Sequence, residues 1–242
     1  RQGHLQLENI PRNARAFRVD GDGYNTERGT RKIDLIHNEK NGSGKRMIEL
    51  KNVSKSYGNK KIIDSLSCSF EYGKTYVLTG KSGVGKTTLL RVMSGLEKYS
   101  GRITGLKNMR KTFLFPEDRL LENLTASENI RFVYPEFKDE KEWFSRFLLD
   151  GCEDMKIGEM STGMKRRLSL MRAFVYSGDV FFLDEPTNGL DAQTAQTILK
   201  TMKELLKGKT AFIISHSERD VTYLADCEIV LNPQPVSDLI FK

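Results

Sequence analysis

From Met47 onward the chain alternates between two hydrophobic periods. MIELKNVSKSY sets Ile48, Leu50 and Val53 against Glu49, Lys51 and Asn52, which predicts a strand with one buried face. Three short apolar runs follow: TYVLT at 75–79, VFFLD at 180–184 and AFIIS at 211–215. Continuous runs of this length predict strands covered on both faces, as in a parallel sheet flanked by helices. Helical spacing takes over between them. Residues 87–94 form a helical stretch that Gly95 stops, and Asp191 can cap a helix carrying Ala195, Ile198, Leu199, Met202, Leu205 and Leu206 as far as Gly208. The stretch 117–178 reads as mainly helical: Thr125-x-x-Glu128 is a capping box, and residues 139–150 place Trp143, Phe144, Phe147 and Leu148 on one face before Gly151. The whole predicts an α/β fold with a mostly parallel sheet, into which about 117–178 is inserted as a helical subdomain.

Upstream of Met47 this patterning stops. Residues 1–46 are rich in Arg, Asn, Gly and Asp, and hold ten Lys/Arg against six Asp/Glu, so +4 of the formal +7 lies there. Asn41-Gly42-Ser43-Gly44-Lys45-Arg46 reads as a linker. The 242 residues therefore divide into an N-terminal tail over 1–46, flexible or a product of cloning or start-site choice, and a functional domain over 47–242. Asp20-Gly21-Asp22-Gly23 lacks the remaining ligand spacing of a calcium loop. No apolar run approaches the ~18 residues of a membrane span. Three scattered cysteines, Cys68, Cys152 and Cys227, make neither a disulfide framework nor a CxxC metal site and point to a reducing compartment. With 38% hydrophobic residues the chain is too apolar to be disordered. Net charge alone does not choose between nucleic acid, a membrane surface or neither.

Two motifs carry chemistry. Gly80-Lys81-Ser82-Gly83-Val84-Gly85-Lys86-Thr87 matches GxxxxGK[ST] at every fixed position, after a predicted strand and before a predicted helix. Glycines there let backbone N–H groups turn in around phosphates, and the helix N-terminus favours their charge. Lys86 can reach the β- and γ-phosphates, and the Thr87 hydroxyl can ligate Mg²⁺. The run 180–184 ends in Asp184, placed to hold Mg²⁺ through water, and Glu185 adds a carboxylate able to polarise a water for attack on the γ-phosphate.

Five further elements occur in a fixed order: Tyr57, Met160-Ser161-Thr162-Gly163-Met164, Asp184-Glu185-Pro186-Thr187, Asn188-Gly189-Leu190-Asp191, and His216 after the AFIIS run. With the phosphate loop they resemble the ATP-binding-cassette (ABC) ATPases over Met47 to about Asn232. The resemblance implies a P-loop NTPase core, a small antiparallel β-subdomain, ATP and Mg²⁺. It implies nucleotide contacts from Tyr57, stacking on adenine, and from Gly80, Ser82, Gly83, Val84, Gly85, Lys86, Thr87 and Thr88. Thr87 and Asp184 would hold the metal, and Glu185 and His216 would be catalytic, His216 as a sensor of the γ-phosphate. Ser161 and Gly163, in the signature motif, would meet ATP on a second cassette, and Asp191 would contact that cassette across the dimer.

The sequence departs from the family pattern in places. Pro116 stands where the family usually has a glutamine, so its side chain offers no amide to Mg²⁺ or the attacking water; Glu117 or a water would substitute, or turnover would weaken. Thr162 and Met164 replace the usual glycine and glutamine of the signature, and Lys165–Arg167 reads as a solvated basic face. The resemblance implies an ATP-hydrolysing subunit that powers a membrane transporter, on the inner face of the cell membrane. Its partners would be a transmembrane permease and a second cassette, identical or different. The alternatives are a soluble ABC ATPase not coupled to transport and a catalytically weak cassette of a heterodimer. Only 74 residues separate Lys86 from Ser161, without sustained heptads, which argues against the coiled-coil DNA-acting relatives; no nucleic-acid partner is expected.

Overall fold

The computed structural model describes residues 47–231 and 234–242; the expected tail and the Asp20–Gly23 turn lie outside the described residues. Two long strands open the fold, β1 (Met47–Tyr57) and β2 (Lys60–Glu71). They are followed by β3 (Thr75–Thr79), α1 (Lys86–Ser94), β4 (Ser100–Thr104) and β5 (Lys111–Leu114). A helical stretch then contains α2 (Ala126–Val133), α3 (Glu140–Arg146), a 3-10 turn at Ile157–Glu159 and α4 (Thr162–Val175). The chain finishes with β6 (Val180–Asp184), α5 (Ala192–Leu205), β7 (Thr210–Ile214), α6 (Glu218–Leu224), β8 (Cys227–Leu231) and β9 (Leu239–Phe241).

Two sheets form. The smaller is antiparallel, in the order β2-β1-β4, and the larger runs β5-β6-β7-β3-β8-β9, parallel except for β9. In β1 the inward residues Ile48, Leu50 and Val53 are not evenly spaced, because strict alternation would turn Val53 outward. A register shift between Leu50 and Val53, with Asn52 at φ 50°, inserts the residue that brings Val53 back to the core.

Every residue of β6 and β7 is buried, as continuous apolar runs require. Alternate residues feed opposite faces. Val77, Phe181, Leu183, Ala211 and Ile213 pack with α2, α4 and α5, whereas Tyr76, Leu78, Phe182, Phe212 and Ile214 pack with α1 and the antiparallel sheet. Phe212 stacks between Tyr76 and Phe182, with ring centroids 5.3 and 5.5 Å away. Each such ring contributes roughly 1.5–3 kcal/mol by leaving water.

The Thr125–Glu128 capping box forms as expected, with Glu128 N–H on Thr125 Oγ1 (3.2 Å) and Thr125 N–H on Glu128 Oε2 (2.8 Å). The helix expected over 139–150 is shorter, and Leu148 is not on its buried face. Phe144, Phe147 and Leu149 take the fully buried places, and the Leu149 N–H closes onto Phe144 O (2.8 Å). Leu148, at φ 56°, is the residue that turns the chain and is left outside.

Candidate active site

The parallel strands β3, β6 and β7 end at one edge of the sheet, where ligands collect in open α/β folds. Between β3 and α1 the chain wraps into a loop that only glycine permits at two points. Gly80 (φ 128°) and Gly85 (φ 116°) are in left-handed territory, and a Cβ on either would lie 2.9 Å from Leu231 O or Ile62 Cγ2. Gly85 is also the N-cap of α1 and supplies no side-chain cap, so the first amides of that helix are not claimed by a capping side chain. Lys86 is buried, and its Nζ donates to Gly80 O (2.8 Å) and Lys81 O (3.0 Å), curling the loop around the ammonium. Burial pulls the Lys86 pKa down, against the opposing pull of Glu185 and Asp184. Val84 turns its side chain into the apolar core beneath the loop, leaving only its backbone toward a ligand.

Asp184 closes β6 with its carboxylate almost wholly buried, accepting from Thr87 Oγ1 at 2.7 Å. Burial holds this carboxyl above the ordinary range, with the Thr87 hydrogen bond partly opposing the shift. Glu185 follows at φ 49°, its N–H donating to Ile214 O (3.0 Å). That turn sets the Glu185 carboxylate 3.4 Å from His216 Nε2. The resulting cleft, of about 310 Å³, brings together Ser82, Gly83, Gly85, Lys86, Thr87, Thr88, Glu185 and His216.

Seven of the expected residues do not line this cleft: Gly80, Val84 and Asp184, which stand behind it in the phosphate loop and at the end of β6, and Tyr57, Ser161, Gly163 and Asp191. Tyr57 is exposed at the end of β1, with Lys55 Nζ 4.7 Å from its ring centroid. Ser161 caps α4, accepting from Met164 N–H (3.2 Å), and faces outward. Asp191 caps α5, accepting from Gln193 N–H (3.1 Å) and Thr194 N–H (2.9 Å). The hydrogen bonds from Thr194, then Gln193, hold its carboxyl below the ordinary range.

A family model described as ABC transporter matches residues 63–188, a little over half of the chain. This chain belongs to the ABC transporter family. The match contains the phosphate loop, the signature residues, Asp184 and Glu185, whereas Tyr57, Asp191 and His216 lie beyond it. The cassette is 35% identical to the taurine import ATP-binding protein TauB of Roseobacter denitrificans, over 64% of this chain and 65% of that protein. It is 32% identical to the aliphatic sulfonates import ATP-binding protein SsuB of Bacillus cereus, over 64% of this chain and 68% of that protein. It is 30% identical to the spermidine/putrescine import ATP-binding protein PotA of Mesoplasma florum, over 67% of this chain and 52% of that protein. The chain thus spans between half and about two thirds of the length of these relatives.

The cassette also uses residues that its motifs did not announce. Lys165–Arg167 is not a solvated face: only Lys165 behaves so, pairing with Glu122 at 3.2 Å, while Arg166 is 3% exposed. Arg167 folds back onto the carbonyls of Phe147 and Leu148. Arg166, Ser169 and Arg172, three residues apart on α4, all hold the loop 115–119. That spacing was the available signal. Asp220, fully buried, accepts from Thr187 Oγ1 (2.5 Å) and Ser215 Oγ (2.9 Å), tying the turn after Glu185 to the strand end before His216. Gln234 Nε2 donates to Gly83 O (2.5 Å) from a segment far along the chain, with no motif to mark it.

Glu117 does not enter the cleft in place of the family glutamine. It is exposed beside Arg119 (3.5 Å) and lines a second, larger cavity of about 490 Å³. That groove runs between Phe113–Phe115, the end of α2 at Phe132–Pro135, and α4. Phe132 and Tyr134 expose large apolar faces on it.

Proposed function

We propose that this chain hydrolyses ATP and that its cycle drives a membrane transporter. The observation that carries the reading is the convergence of Lys86, Thr87, Asp184, Glu185 and His216 on one cleft. Lys86 and the α1 N-terminus would hold the β- and γ-phosphates. Glu185 would polarise the attacking water, with His216 orienting its carboxylate. Thr87 and Asp184 fit Mg²⁺: the hydroxyl and carboxylate already converge at 2.7 Å, and one hydroxyl with one carboxylate suits an ion that arrives with phosphates. When bound, the ion would neutralise charge on the phosphates.

The exposed N-terminus of α4 and the cap of α5 support the second half of the proposal. Ser161 and Gly163 do not line the cleft of their own chain, which supports the reading that they would close over ATP held by a partner cassette, identical or different, with Asp191 at the seam. Tyr57 would stack on the adenine. The groove beside Phe132 and Tyr134 would seat a permease, as an apolar hollow with a polar rim suits a partner segment. No helix among the described residues is long and apolar enough to cross a membrane. By likeness to import ATP-binding proteins, the cassette would work at the cytoplasmic face, with a permease as the path. The relatives named above carry different cargoes, so likeness at this level selects the engine and not the cargo.

The test compares wild type with Glu185→Gln in Mg²⁺ and ATP, measuring phosphate release and mass on a sizing column. Hydrolysis by wild type and an ATP-dependent dimer of the variant are expected. ATP binding without either turnover or dimer would overturn the self-sufficient engine.

A further inference from the structure

Arg166 is a buried cation with six hydrogen-bond acceptors around it, and none of the motifs accounts for it. Its guanidinium divides between two backbones. Nη1 donates to Phe115 O (2.9 Å), Pro116 O (3.2 Å) and Asp118 Oδ1 (3.2 Å), all on the loop that leaves β5. Nη2 donates to Asp184 O (2.8 Å) and Glu185 O (2.6 Å), and Nε to Pro186 O (3.3 Å), all on the turn that presents Glu185. A planar fork with fixed donor directions sets the separation of the backbones it joins, which a flexible ammonium cannot do.

The two backbones have different business. One lines the groove beside Phe132 and Tyr134, where Phe115 and Asp118 form part of the wall. The other holds Glu185 in a left-handed conformation at φ 49°, unfavourable for a residue with a side chain unless its surroundings impose it. The loop side cannot reach the cleft with its own side chains: Pro116 has no polar group, and Glu117 is outside with Arg119. Beside the β5–β6 ladder, Arg166 is therefore a direct side-chain link between groove and catalytic turn, through the carbonyls of Phe115, Pro116, Asp184 and Glu185.

We propose that Arg166 is a positioning residue for hydrolysis: its guanidinium transmits the place of the 115–118 loop to the backbone of Glu185, doing through main-chain carbonyls what the Pro116 side chain cannot. Movement of the loop by a partner in the groove would shift the Nη1 side of the fork and, through the rigid guanidinium, the Glu185 turn. The inference rests on the ATPase reading of the cleft.

The experiment uses the full chain and measures steady-state ATP hydrolysis, ATP affinity by calorimetry and thermal melting for wild type, Arg166→Lys and Asp118→Asn. Arg166→Lys keeps the charge but loses the fork; it should lower kcat at least about tenfold while ATP affinity changes less than about twofold. Asp118→Asn, on a partly exposed loop, loosens only the Nη1 side and should lower kcat about threefold at unchanged ATP affinity. It decides the question if the lysine variant does not fold. A kcat within twofold of wild type in the folded variants would overturn the proposal. So would kcat and ATP affinity falling in step with melting temperature, because a purely structural strut behaves that way. If wild type itself binds ATP without hydrolysing it, the ATPase reading fails, and the inference fails with it.

Discussion

Two helix N-termini in this molecule are built for opposite circumstances. That of α1 is sunk in the cleft, entered through Gly85 without a side-chain cap, and furnished with Lys86, Thr87, Asp184 and Glu185. That of α4 stands at the surface, capped by its own Ser161, with Thr162 exposed beside it and neither residue lining the cleft. Both carry the partial positive charge and unpaired amides that favour an anion. Only the first opens into a cleft on which a lysine, a hydroxyl and carboxylates from other strands converge. The contrast teaches that anion affinity is a generic property of helix ends, whereas chemistry requires groups delivered from other strands. It is also consistent with the proposal that the α4 end meets a partner's phosphate.

The sharpest way to break this comparison is to remove the cation at one end and the cap at the other. Lys86→Ala should weaken ATP binding by about a hundredfold or more, because a desolvated charge-assisted contact is lost. Ser161→Ala should leave ATP affinity of the isolated chain within about twofold. Calorimetry on both variants checks this, and equal losses would mean that the two ends serve the same bound nucleotide.

Next in size is Gly163→Asp. A Cβ at Gly163 meets Leu190 Cδ2 at 3.8 Å and Gly189 O at 4.0 Å, both ordinary van der Waals contacts, so the fold accommodates it. A carboxylate in the first turn should stabilise α4 by about 0.3–1 kcal/mol. The same charge would repel a partner's γ-phosphate, so hydrolysis should fall at least about tenfold while melting temperature holds or rises. Retained turnover would show that α4 never meets a phosphate.

Asp184→Asn sharpens the comparison from the stability side. The Asp184 pKa is raised in the folded chain, so the native state holds its proton more tightly than the unfolded state does. Stability is therefore lost as pH rises from the unfolded value through the folded one, and the penalty is complete above both. In nucleotide-free protein with chelator, Asp184→Asn should melt higher than wild type at neutral pH. The gain should vanish at acid pH below both values, while hydrolysis is lost. The smallest effect is the fold cost of Ser161→Ala, about 1 kcal/mol for a lost N-cap, read by denaturant unfolding.

Much of this was legible before any coordinates. The apolar runs at 75–79, 180–184 and 211–215 became the central parallel strands, since a strand buried on both faces has no reason to alternate. The cleft residues were legible too, because phosphate chemistry forces glycines, a lysine and a hydroxyl into one short segment. Leu148 was misplaced because helical spacing ignores where a helix stops, and its turn is made by a left-handed residue that periodicity cannot see. Arg166 was misread because a basic triplet looks solvated until the neighbouring loop is packed on it.

The α/β alternation, the phosphate loop with its paired carboxylates, and the order of motifs that marks the family are all written in the order of residues. These depend on contacts between near neighbours or on chemistry that tolerates few residue types. Packing alone reveals that Arg166 joins the 115–118 loop to the Glu185 turn, that Asp220 ties Thr187 to Ser215, that Gln234 reaches Gly83, and that the residues at the α4 N-terminus do not line their own cleft. Each depends on backbone carbonyls or distant segments brought together by the packing of helices on the sheet. A carbonyl is present at every residue, and so carries no signature in the sequence.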